Sequence, residues 1–97
     1  MRVLFRPQAR VELFDAQDWY EARAPGLGLE FARAFEAALQ SACRHPAGFA
    51  EVEEGCRRVV LRRFPYSLYY RVDGDQLLVV AVFHHRRPPS ARQGRSD

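Results

Sequence analysis

Seven consecutive apolar residues, Leu77 to Phe83, constrain this chain more than any other stretch. A β-strand sends successive side chains to opposite faces, so a strand that does not alternate needs cover on both. The run is too short to cross a bilayer, which takes roughly 20 apolar residues. It therefore reads as a strand whose two faces both want cover. A chain of 97 residues offers one modest core, so any activity must sit on a single domain, expected over residues 1–89, with 90–97 as a flexible tail rich in Ser, Arg, Gln and Gly.

The rest of the sheet is read from alternation. Val59, Leu61 and Arg63 alternate with Val60, Arg62 and Phe64, and Leu68, Tyr70 and Val72 alternate with Tyr69 and Arg71, as in antiparallel strands. Asp73-Gly74-Asp75 joins the second of these to the apolar run as a hairpin. Arg2 to Phe5 reads as a short first strand, and His45 to Gly55 has room for a short strand and a turn.

Between them lie two helices. Pro7 suits a first turn, where its missing N–H is not needed; Ala9, Leu13, Ala16 and Tyr20 then share one side, with Glu12, Asp15, Asp18 and Glu21 mostly turned away. Ala24-Pro25-Gly26 breaks this helix, and a second runs from about Gly28 to Arg44 with Phe31, Phe35, Ala38, Leu39 and Ala42 at helical spacing, ended by Pro46. So short a connection makes the helices antiparallel. The expected fold is α+β: a short N-terminal strand and an antiparallel two-helix hairpin on one face of a small, mainly antiparallel sheet of three to four strands. The hairpin covers one face only, so the tail, a second copy or another protein must shield the other.

Charge is divided unevenly. Residues 1–56 hold 6 Arg against 9 Asp or Glu, a balance of −3, whereas residues 57–97 hold 9 Arg against 3 Asp, a balance of +6. All fifteen basic residues are Arg, which grips phosphate or carboxylate as a planar fork and does not give up its proton, so no lysine amine can serve as a general base. Cys43 and Cys56 stand in no metal-ligand spacing and read as buried or spectator thiols. The N-terminal residues contain no signal-like apolar region, and the expectation is a reduced, cytoplasmic protein.

Seven landmarks occur in order: Trp19-Tyr20, Pro25-Gly26-Leu27-Gly28, Phe31, Pro46, Arg63-Phe64-Pro65-Tyr66, Tyr69-Tyr70 and His84-x-Arg86-Arg87-Pro88. With the strand–helix–helix–strands order, this run from Arg2 to about Pro89 resembles the RelE/ParE toxin superfamily of type II toxin–antitoxin modules. The Trp-Tyr pair and the Phe-Pro-Tyr before Tyr-Tyr are similar to the ParE, or plasmid-stabilisation, branch. The resemblance implies a toxin silenced by an antitoxin encoded beside it, whose C-terminal segment packs on sheet and helical hairpin. Trp19, Tyr20, Phe35, Leu78, Val80 and Val82 are the candidate antitoxin contacts, although Trp19 also reads as a packing residue of the first helix.

ParE-like members act on DNA gyrase as binding proteins, and RelE-like members cut messenger RNA on the ribosome. For gyrase, the candidate target contacts are Arg63, Tyr66, His85, Arg86, Arg87 and Arg92. RNA cleavage through a 2′-hydroxyl needs a base, a phosphate clamp and an acid. Glu53 or Glu54, Arg62 or Arg63, and His84 or His85 are the candidates for those roles. Against them stand the lack of lysine and the Arg-Arg-Pro-Pro sequence after the histidines. Adjacent His84 and His85 must face opposite ways in a continuing strand, so at most one joins a given site. No cofactor or metal is expected. A basic nucleic-acid-binding module without toxicity is the third class.

Overall fold

The computed structural model describes residues 1–86, so Arg87, Arg92 and the expected tail at 90–97 lie outside the described residues. The chain runs β1 (Arg2–Phe5), α1 (Pro7–Arg23), α2 (Leu27–Arg44), β2 (Glu51–Glu53), β3 (Cys56–Val60), β4 (Tyr66–Asp73) and β5 (Gln76–His84). The strands form one sheet in the order β1-β5-β4-β3-β2, with β1 parallel to β5 and the other pairings antiparallel. This places the apolar strand inside the sheet, with a neighbour on each side. The α+β plan is as expected and the sheet is wider: five strands. Glu51–Glu53 folds back on β3 across a turn where Gly55 has φ 73°, a conformation that favours glycine.

Pro7 opens α1, and the two prolines flanking the helical region act as expected. Glu12 does not. It is buried, and its Oε1 accepts the Val82 N–H at 2.9 Å. The reason lies in β1, whose pairing stops at Phe5 opposite Val79 before the chain turns away, with Arg6 donating its N–H to the Val79 carbonyl. Beyond that point β1 has no carbonyl to offer β5, and a carboxylate from the next helix supplies one for Val82.

The turn between the helices is equally specific. Gly26 has φ 88°, and the Glu21 carboxylate accepts N–H bonds from Gly26 at 3.1 and 3.2 Å and from Gly28 at 3.0 Å. An anion thus sits on the N-terminus of α2, where unpaired N–H groups and the helix dipole favour it. At the other end the buried Tyr70 donates its hydroxyl hydrogen to the Pro46 carbonyl at 2.7 Å, tying the end of α2 to β4.

Both helices pack on one face of the sheet. Phe31, Phe35, Leu39 and Ala42 of α2 and Ala9 and Ala16 of α1 meet Val59, Leu68, Tyr70, Leu77, Val79 and Val82. Cys56, Tyr69, Val80, Ala81 and Phe83 form a second buried cluster. The two clusters lie on opposite faces of the sheet, and β5 carries a bulge between them: Tyr69 pairs with Ala81 and Tyr70 with Val79, which makes Val80 the extra residue in the register. Leu77 and Val79 face the helices, Val80 and Ala81 both face away, and Val82 faces the helices again. No described helix is long and apolar enough to cross a membrane.

Candidate functional site: a basic sheet end beside an aromatic groove

β3 is shorter than alternation suggests. It ends at Val60, and the chain turns through Leu61–Pro65 with Leu61 N–H bonded to the Tyr66 carbonyl at 2.9 Å and Tyr66 N–H to that of Phe64 at 2.8 Å. Leu61 and Phe64 are both buried, with Phe64 edge-on to Tyr20 at 4.9 Å and to Phe31 at 5.2 Å. Two residues remain to span two core anchors, so Arg62 and Arg63 are exposed and Arg63 takes φ 70°, the one positive φ at a non-glycine among the described residues.

Register brings this turn to the end of β5. Val60 pairs with Ser67, and Tyr66 with His84. Arg62, Arg63, Tyr66, His84, His85 and Arg86 therefore share one end of the sheet. The two histidines separate as their adjacency predicts. His84 lies edge-on to Tyr66 at 5.1 Å on the helix side, and its Nδ1 accepts the Arg86 N–H at 3.0 Å. His85 shares a 3.0 Å hydrogen bond between Nε2 and the Oγ of the fully buried Ser67, which pairs with Phe83 on the opposite face.

Beside His84 a groove of ≈ 560 Å³ runs between α1 and β5, lined by Glu12, Asp15, Ala16, Trp19, Tyr20, Pro65, Tyr66, Val82 and His84. Trp19, which packing alone would have buried, is 51% exposed, meets Tyr20 edge-on at 5.0 Å and has the Arg23 guanidinium 4.2 Å above its ring. Burial raises the Tyr20 hydroxyl above its ordinary pKa of 10.0, and nearby Tyr66 adds to the rise. Tyr70 is raised as well, by burial first, with Arg57 pulling the other way.

The candidate RNA-cleaving set is not brought together. Glu53 pairs with Cys56 and Glu54 follows at the β2–β3 turn, whereas the Arg62, Arg63, His84 and His85 end lies past Val60. Cys56 to Val60 alone spans about 13 Å at the usual strand rise. Among the target contacts, Arg63, Tyr66, His85 and Arg86 do cluster. The six antitoxin contacts divide into three places: Trp19, Tyr20 and Val82 line the groove, Leu78 and Val80 belong to the opposite face, and Phe35 is a core residue 6.0 Å from Phe5. No group of three or more His, Cys, Asp or Glu placed to hold a metal occurs among the described residues.

Sequence reasoning missed Arg33, Glu12 and Ser67. Arg33 of α2 lines a groove with Arg62 and Arg63 although 29 positions separate it from Arg62. Glu12 carried one usable signal, its position three residues after Ala9 and four before Ala16 on the buried side.

A helical hairpin on a small mixed sheet, with a basic end and a half-exposed aromatic groove, defines a small protein built to meet other macromolecules. The chain belongs to the ParE toxin family: the description "ParE toxin of type II toxin-antitoxin system, parDE" matches residues 3–89. Among solved structures it is similar to a chain of the chromosomal ParDE toxin–antitoxin system from P. aeruginosa, with a TM-score of 0.73 at 20% identity, covering 87% of this chain and 95% of that one. No curated protein matches it.

Proposed function

We propose that this ParE-type toxin inhibits DNA gyrase by binding, without covalent chemistry of its own, and that a cognate antitoxin neutralises it. The observation that carries the proposal is the arrangement of charge at the sheet end. Arg62, Arg63, His85 and Arg86 gather there, while Glu53 and Glu54 stand beyond the far end of β3. Guanidinium groups at an exposed end suit acidic protein surface or DNA phosphate. A proton-transfer pair for RNA cleavage would need a carboxylate within hydrogen-bond reach of the substrate held by those arginines.

The antitoxin's place is the α1–β5 groove. Trp19, Tyr20, Tyr66 and Val82 give it an apolar floor, and a partially exposed aromatic beside a cavity is the usual anchor of a partner's side chain. The test is a supercoiling assay with purified gyrase, relaxed plasmid and ATP, run with the toxin alone and with antitoxin. Lost supercoiling with accumulated linear DNA, reversed by antitoxin, is the expected outcome. Unchanged supercoiling by folded protein that is toxic in cells would overturn the gyrase reading.

A further inference from the structure

The turn that carries Arg63 does more than link β3 to β4. Arg62 and Arg63 line a groove of ≈ 660 Å³ with Glu30, Arg33, Ala34 and Phe64, so three guanidiniums from two elements meet around one concavity. Arg63 Nη2 donates to Glu30 Oε1 at 3.1 Å, and among the described residues neither Arg33 nor Arg62 has an ion pair. Three cations against one carboxylate leave the groove at +2 (3 − 1).

Backbone conformation adds a second, independent observation. Arg63 is held at φ 70°, where a glycine would be relaxed and a long side chain is strained. Core anchoring of Leu61 and Phe64 explains why position 63 must be left-handed. It does not explain why the position holds arginine, whose side chain is 77% exposed and makes one surface ion pair, to Glu30.

We infer that Arg33, Arg62 and Arg63 form a binding site for the phosphodiester backbone of duplex DNA. Their exposure selects this ligand over an acidic protein surface. A hydrated guanidinium gains little from a single carboxylate in water, whereas a duplex releases condensed counterions for each phosphate neutralised. Glu30 holds Arg63 in place and is displaced when phosphate arrives. The inference goes beyond gyrase inhibition, since it concerns direct contact with DNA and requires no gyrase.

The test is fluorescence anisotropy of the full chain with a labelled duplex of about 20 base pairs across a salt series, for which three phosphate contacts give a slope of log K on log salt near −2.7. Arg33→Ala and Arg62→Ala should each flatten that slope by about one. Glu30→Gln should strengthen binding about two- to threefold by unmasking Arg63. Arg63→Gly separates function from structure: it should bind more weakly yet melt at a higher temperature, because glycine relieves the φ. Slopes unchanged in all three arginine variants would overturn the inference, as would an Arg63→Gly protein that melts lower. Competition by polyglutamate equal, charge for charge, to competition by DNA would show an acidic-protein site instead. DNA binding without gyrase inhibition would leave this site standing and remove only the gyrase proposal.

Discussion

Gly28→Ala sets two effects of opposite sign against each other at the helix–helix contact. Alanine is the better helix former by up to about 1 kcal/mol, and less near a helix start, so propensity alone raises stability. Space argues otherwise. A Cβ at position 28 would lie 2.9 Å from the backbone oxygen of Gln17, 3.0 Å from the Glu21 Cβ and 3.0 Å from Glu21 Oε1. The Glu21 carboxylate can swing aside, at the cost of its bond to the Gly28 N–H, but the Gln17 carbonyl belongs to α1 and cannot move without it. Overpacking of this kind costs about 1–3 kcal/mol. With the lost cap added and the propensity gain subtracted, the net is a destabilisation of about 1–2 kcal/mol. For a domain of this size that lowers Tm by roughly 4–16 °C. The assay is a thermal melt followed by circular dichroism. Glu21→Ala serves as the background that keeps the Gln17 contact while removing the carboxylate. A Gly28→Ala protein melting at or above the parent temperature would refute the argument, since it would mean that α1 and α2 separate at no cost.

Tyr70→Phe removes the hydroxyl bond to the Pro46 carbonyl at the edge of a ≈ 280 Å³ cavity, where water can take over as donor, so the expected loss is about 1 kcal/mol, read as a lower urea midpoint at unchanged m. Because Tyr70 and Tyr20 have pKa values raised above 10.0, an unfolded chain ionises them first. Their contribution is whole below pH 10.0 and is lost as pH rises from there through the folded values. Tyr70→Phe should therefore soften the alkaline fall in Tm, and an unchanged alkaline limb would count against the burial of that hydroxyl. Trp19→Ala should leave stability within about 0.5 kcal/mol and weaken antitoxin binding about tenfold or more in calorimetric titration. Equal affinity would remove the α1–β5 groove from the interface. Saturating antitoxin should raise the toxin's Tm, and coincident melts with and without it would sink the neutralisation proposal.

Elements whose determinants are local were legible in the sequence. Pro7 and Pro46, the spacing of Phe31, Phe35, Ala38 and Ala42, and the Asp73-Gly74-Asp75 turn each act through neighbours a few positions away. β2 was legible only as room for a short strand and a turn within His45 to Gly55, because three residues reading Glu-Val-Glu have too little pattern to fix its place without Arg57 opposite. Glu12 was misplaced for a different reason. A helical wheel counts charge as outward, whereas this carboxylate answers a backbone donor on a strand 70 positions later. The candidate site was legible in composition and not in grouping. Arg63, Tyr66, His85 and Arg86 are assembled by the registers of β3 with β4 and of β4 with β5, and Arg33 meets Arg62 and Arg63 only through tertiary packing.

The bulge at Val80 also decides the identity of the two histidines. Counting in twos from Leu77 would send His85 toward the helices and His84 away from them. One extra residue resets the phase, so His84 meets Tyr66 beside the α1 groove and His85 meets Ser67 on the reverse of the sheet. The strand thus behaves as two segments of opposite phase: the first half is held between β1 and β4, and the second pairs with β4 alone. Deleting Val80 alone would restore regular alternation and leave each imidazole on its present face, with Ala81 between Val79 and Val82, so the assignment is exchanged only where the bulge is lost and every residue kept.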